Sequence, residues 1–152
     1  MISDVYGVCV LIVKNGTDKI LGVTRKNDHN DWGLPGGKVE LGEDPKIAAT
    51  RELKEETGLT IDPGLLLPLY SAYAQNPAHP GVWRRVVTYG ASFESCTGEM
   101  YSDGTIPEGE GLVGWIEWDD ILKGSFGDYN AGVQLTYNCV VEAVNATVDL
   151  LG

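Results

Sequence analysis

Residues 37–59 read GKVELGEDPKIAATRELKEETGL, and the fold is decided by how that stretch must fold. It leaves a turn that carries Gly36 and Gly37, then enters a segment whose composition and boundaries predict a helix. Asp44 stands where a side chain can cap the first turn, and Pro45 follows at a position whose missing N–H costs nothing. Gly58 stops the helix. Within it Glu52, Glu55 and Glu56 occupy positions i, i+3 and i+4, so their carboxylates project from one face. Like charges at this spacing cost roughly 0.2–0.5 kcal/mol per pair on an isolated helix. A cation would offset that cost. Oxygen ligands without His or Cys suit a hard divalent ion, Mg²⁺ or Mn²⁺, better than zinc. A solvated acidic helix face is the plainer reading of the same residues.

The wider pattern separates the two readings. Gly37, Glu43, Arg51, Glu52, Glu55, Glu56 and Gly58 stand at fixed intervals, with Leu53 and Leu59 at apolar positions. Together they resemble the signature of the Nudix hydrolases at every defining position. The preceding run, Trp32-Gly33-Leu34-Pro35-Gly36-Gly37, also looks like that family. The resemblance implies the Nudix fold, of the α/β class, with a mixed β-sheet between helices in an α/β/α sandwich. It implies that Glu52, Glu55 and Glu56 bind the metal, Mg²⁺ or Mn²⁺, and that the backbone carbonyl of Gly37 adds a ligand. Arg51 would pair with Glu43 or Glu55 and hold it in place.

Composition bounds the alternatives. At 152 residues, with no internal shift of composition, the chain reads as one domain, and 43% hydrophobic with 22% charged residues is the balance of a globular protein. A net charge of −11 argues against a general nucleic-acid surface, which needs a basic stripe. Small phosphorylated substrates remain compatible, because bound metal reverses the local charge. The apolar run from Val8 to Val13 is too short for a membrane span and lacks the flanks of a secretion signal, so the expectation is a cytoplasmic protein without a membrane partner. Cys9, Cys96 and Cys139 are odd in number and far apart, which predicts free thiols.

Taken in order, Val5–Val13 reads as a strand, Asn15-Gly16 as a turn, and Lys19–Arg25 as the returning arm of a hairpin. Residues 26–31 read as a polar loop. Residues 65–74 and 83–93 read as strands around a loop that carries two prolines and His79. Residues 96–112 form a long polar connection, which marks it as a functional candidate. A strand over residues 113–118, a helical turn at 119–122 and an amphipathic helix over 131–150 complete the chain.

Several of these places carry candidate contacts. Arg25 stands where Nudix sequences commonly place an arginine that reaches substrate phosphates; a plain surface role is the alternative. Lys38 and Arg84 are further cations for phosphate, or solvated side chains. Glu108 and Glu110 lie in the region from which the family often supplies an additional catalytic or metal-binding glutamate, and one of the pair is expected to serve. Asn130 caps the final helix or, as in MutT-like members, reads a base.

The implied reaction is hydrolysis of a pyrophosphate linkage in a small nucleotide, a nucleoside diphosphate joined to a group X. A MutT-like (deoxy)nucleoside triphosphate pyrophosphohydrolase is the first reading, and ADP-ribose, nucleotide sugars or diadenosine polyphosphates are the alternatives. A carboxylate, Glu55 or Glu108 or Glu110, would take the proton from water made acidic by the metal. Glu52 and Arg51 complete the catalytic set. A nucleotide sensor without turnover is the reading from a different class, and a homodimer is compatible with the family although no residue decides it.

Overall fold

A computed structural model describes residues 4–75, 80–102, 104–117 and 138. Strands β1 (Val5–Val13), β2 (Lys19–Arg25), β3 (Asp28–Gly33), β4 (Gly36–Lys38), β5 (Leu67–Gln75), β6 (Trp83–Ser92) and β7 (Val113–Glu117) form one mixed sheet with helix α1 (Pro45–Thr57) on one face. The order β3-β2-β1-β6-β5 is the spine of the sheet. Strands β1 and β6 run parallel and every other pairing is antiparallel.

The predicted β1–β2 hairpin forms, turning at Gly16 with φ of 73°, where a side chain would be strained. Its two arms share only the pair Val13↔Ile20. Beyond that they splay, and β4 fills the gap along β1 with the register Gly7↔Lys38, Val8↔Gly37 and Cys9↔Gly36. The turn expected at the paired glycines is therefore extended strand. Neither glycine has a positive φ; their value is close approach, since a Cβ on Gly36 would overlap the Val8 carbonyl and one on Gly37 would overlap the Glu52 carboxylate.

The loop expected over residues 26–31 is corrected likewise. Strand β3 starts at Asp28 and pairs with β2 across a register shift between Thr24 and Arg25. Its sequence DHNDWG has no apolar alternation because it lies at the edge of the sheet, held by backbone pairing and by the Trp32 ring, which packs over Gly22 and Gly114. Residue 65 belongs to a short 3₁₀ turn, Pro63–Leu65, and Phe93 opens a second, Phe93–Ser95, so the predicted strands each lose an end. Trp118, the helical turn at 119–122, Asn130, His79 and Cys139 lie outside the described residues; Asn138, within the expected final helix, is helical.

Helix α1 obeys its local code. Asp44 accepts from the Lys46 N–H at 2.8 Å, Pro45 opens the helix, and Gly58 closes it in the left-handed conformation with φ of 86°. Ala48, Ala49 and Leu53 are fully buried against Val8, Val10, Ile12, Leu21, Val87 and Tyr89 of the sheet. Burial of a side chain such as Leu53 stabilises by about 1.5–3 kcal/mol. On the other face of β1, Leu11 and Val13 are buried as well. Both faces of the central strand are thus closed to water, which sets the helix and its carboxylates at a fixed height relative to β4. Among the described residues no helix is long and apolar enough to cross a membrane.

Candidate active site

Burial of one side of α1 leaves its Arg51–Glu56 side facing the segment from Gly36 to Glu43. Arg51 is the hub of that contact. Its Nε and Nη2 donate to the two oxygens of Glu43 at 2.9 and 3.0 Å, a bidentate pair. Nη1 donates to Glu52 at 2.9 Å and to Glu55 at 3.3 Å, and Nη2 also reaches the Lys38 carbonyl at 3.0 Å. One guanidinium therefore binds three carboxylates and the strand beside Gly37. The expected partner was Glu43 or Glu55; the geometry gives both and adds Glu52. Glu43 in turn accepts from the Glu40 N–H at 3.0 Å, and Arg51 holds its carboxyl below the usual carboxylate range.

Glu56 is placed differently. Its Oε1 accepts from the Gly36 N–H at 3.2 Å, and it has no bond to Arg51. Burial pushes its carboxyl up to about 8, against the pull of the Gly36 N–H, and the charges of Glu52 and Glu110 raise it further.

Of the two loop candidates, the structure brings in Glu110. The 96–112 connection docks on the end of α1: Thr60 and Thr97 exchange backbone hydrogen bonds at 2.9 and 2.8 Å, Tyr101 N–H donates to the Thr57 carbonyl at 2.8 Å, and its hydroxyl donates to the Lys54 carbonyl at 3.2 Å. At its far end Gly111 sits against the Thr24 carbonyl with no room for a Cβ, while Leu112 N–H donates to the Thr24 hydroxyl at 2.9 Å. Pinned at both ends, the loop carries Glu110 half-buried toward the helix glutamates. Burial raises its carboxyl first, then the charges of Glu55 and Glu52, with Lys26 opposing. Glu108 is exposed in the turn before it.

The cations divide as well. Arg25 is exposed at the end of β2, opposite Asp28 of β3. Lys38 and Arg84 converge on Tyr6, with Lys38 Nζ 5.4 Å and the Arg84 guanidinium 5.1 Å from the ring centre. Tyr6 was not singled out in the sequence, because nothing near it in the chain marks it. Asn130 lies outside the described residues. Cys9, half-buried beside Gly36, and Cys96 are both free thiols, and burial pushes each up to about 11.

The donor set fits a hard divalent cation: carboxylate oxygens, and a glycine backbone packed against Glu52 with no Cβ between. Among the described residues, no three acidic, His or Cys side chains yet converge closely enough to cage an ion. Arg51 stands among them as the internal counter-charge, and Glu55, bonded to it at 3.3 Å, keeps half of its side chain exposed.

The sequence model of the family described as the NUDIX domain matches residues 4–132. An ADP-ribose pyrophosphatase of Methanocaldococcus jannaschii is 45% identical over 62 residues, covering 40% of this chain and 37% of that protein. An 8-oxo-dGTP diphosphatase of Escherichia coli is 41% identical over 56 residues, covering 35% and 43%. The chain spans less than half the length of the curated relatives it matches. The crystal structure of a MutT NUDIX hydrolase from Burkholderia pseudomallei superposes with a TM-score of 0.60 at 28% identity, covering 74% of this chain and 82% of that one.

Proposed function

Because the chain belongs to the Nudix family, a hydrolase family acting on nucleotide pyrophosphate bonds, we propose that it cleaves a (deoxy)nucleoside triphosphate to the monophosphate and pyrophosphate. The observation that carries a hydrolytic site is the gathering of Glu43, Glu52 and Glu55 on one arginine beside Gly37, with Glu56 and Glu110 on the same side. The triphosphate reading is supported by the name of the Escherichia coli relative, an 8-oxo-dGTP diphosphatase. The Methanocaldococcus relative supports ADP-ribose as the second reading, with the same metal chemistry.

Glu52, Glu55, Glu56 and the Gly37 carbonyl would hold Mg²⁺ or Mn²⁺. When bound, the ion neutralises phosphate oxygens and lowers the pKa of coordinated water. Arg51 spaces the carboxylates and keeps Glu52 and Glu55 from being pushed apart by their own charge. Gly36 and Gly37 let the strand come close enough that a phosphate oxygen and the helix carboxylates share one small volume. Glu110 takes the proton from the attacking water, being half-buried and more basic than an ordinary carboxylate. Arg25 contacts a phosphate oxygen from the end of β2.

The test is a substrate panel of ordinary and oxidised nucleoside triphosphates, ADP-ribose, nucleotide sugars and diadenosine polyphosphates, with Mg²⁺ or Mn²⁺ and every product identified. Monophosphate plus pyrophosphate from a triphosphate is the expected outcome. Cleavage confined to ADP-ribose or a nucleotide sugar would replace the first reading with the second, and binding without turnover would point to a sensor.

A further inference from the structure

The path of the sheet ends in β3 on one side and in β5 on the other, and the two ends are built differently. Strand β3 is six residues long and carries Asp28 and Asp31, the charged, short edge that discourages pairing with another chain. Strand β5 is nine residues long, LPLYSAYAQ, and has no charged residue. Pro68 and the register shift between Pro68 and Tyr70 blunt its beginning. The stretch from Tyr70 to Gln75 has no such device. Among the described residues β5 pairs with β6 alone, so the backbone groups on its other side meet no strand.

Exposed apolar surface gathers at the same edge. Among the described residues seven large hydrophobic side chains are exposed, and five of them, Leu65, Leu67, Tyr73, Val82 and Trp83, lie on β5, on β6 or directly before them. Tyr73 stands opposite Arg85, and Trp83 stands two residues before Arg85, so strand alternation puts both rings on the side of the sheet that carries α1. Val87, on that same side, is buried in the core under α1. The two rings are not covered: Tyr73 is 65% and Trp83 60% exposed. Apolar surface concentrated in this way marks an interaction site.

We infer that the outer edge of β5, with the Tyr73 and Trp83 rings, is the surface through which two copies of this chain pair, their β5 strands antiparallel across a two-fold axis. Charge selects a second copy. With 22 acidic against 11 basic residues, two copies repel wherever their acidic surfaces meet. Here β5 brings no charge, Arg85 is matched by Asp4 at 2.7 Å, and Arg84 adds a positive one. Copies that meet at this edge keep their acidic surfaces apart. The area is sufficient as well. A buried Tyr or Trp removes about 150–250 Å² from water, so the four part-exposed rings of a pair still hold on the order of 400–600 Å². That is a third to a half of the roughly 1,200 Å² of a stable interface, before the strand backbones and the neighbouring leucines are counted.

The test is sedimentation equilibrium of the intact chain over a range of concentrations, with hydrogen exchange of the β5 amides at the two extremes. A dimer that dissociates at about micromolar concentration is expected, with exchange across residues 70–75 slowing as concentration rises. Tyr73→Lys, which sets a charge on the bare edge, and Trp83→Ala, which removes a ring, should each weaken association about tenfold or more. Leu41→Lys alters an exposed leucine elsewhere on the chain and should leave association within about twofold. Thermal unfolding reports whether each variant folds, and Trp83→Ala alone decides if Tyr73→Lys does not. A parent that stays monomeric at every concentration overturns the inference, even if another kind of partner is later found on this edge. So does a dimer that both variants leave intact, or an equal loss with Leu41→Lys. No step requires turnover, so the outcome is independent of the hydrolase reading.

Discussion

The acidic side of α1 and the basic pair on Tyr6 are built on the same difficulty, like charges held close, and they meet it in different ways. On the helix a counter-ion is built in. Arg51 bonds Glu43, Glu52 and Glu55 at once and fixes the strand beside them through the Lys38 carbonyl. Among the described residues the cations around Tyr6 have only an aromatic face. The first cluster is balanced by a charge of its own chain; the second is not. A single arginine can thus be a structural part of an acidic site.

That contrast can be broken most sharply at Glu56, the carboxylate outside the reach of Arg51. Glu56→Gln and Glu55→Gln are expected to lower Mg²⁺-dependent turnover on the order of 10³-fold while the metal-free chain, compared at about pH 5, unfolds at nearly the parent temperature. Loss of folding in both, with no separate metal defect, would move these residues to the structural side. A smaller effect sharpens the loop's part. Glu110→Gln should reduce kcat by about 10–100-fold and Glu108→Gln by less than about twofold, as an exposed position usually does. Equal effects would mean that the docking of residues 96–112 on α1 does not select between them.

The smallest expected effect is on stability. In EDTA the folded chain keeps a proton on Glu56 up to about 8, whereas an ordinary glutamate loses it near 4.5. Between those values the folded state binds the extra proton, so stability falls as pH rises through this window. Glu43, held low by Arg51, works in the opposite sense: its contribution is present above the ordinary value and lost as pH falls through its lowered one. The apo chain should unfold several degrees higher at about pH 5 than at about pH 8, and Glu56→Gln should flatten that slope. A parent profile already flat across the window would show that the proton is not held.

What could be read in advance, and what could not, follows from the range of each interaction. Helix α1, its Asp44 and Gly58 caps and the shared face of Glu52, Glu55 and Glu56 are written within a single stretch, because helix periodicity and capping act over a few residues. So is the family, whose signature lies inside that stretch. Strand β3 escaped because an edge strand needs no buried face, and β4 because paired glycines read as a turn until β1 is placed beside them. Which loop glutamate approaches the helix depended on Gly111 packing against Thr24, far away in the chain. Tyr6 gained its neighbours only when β1, β4 and β6 came side by side. The sequence by itself determined the helix, the carboxylate face and the class of chemistry, since those are local. The tertiary structure decided the counter-ion's full set of partners, the half-burial of Glu110 beside the helix glutamates and the cation pair on Tyr6, since each is a contact between segments whose separation only folding removes.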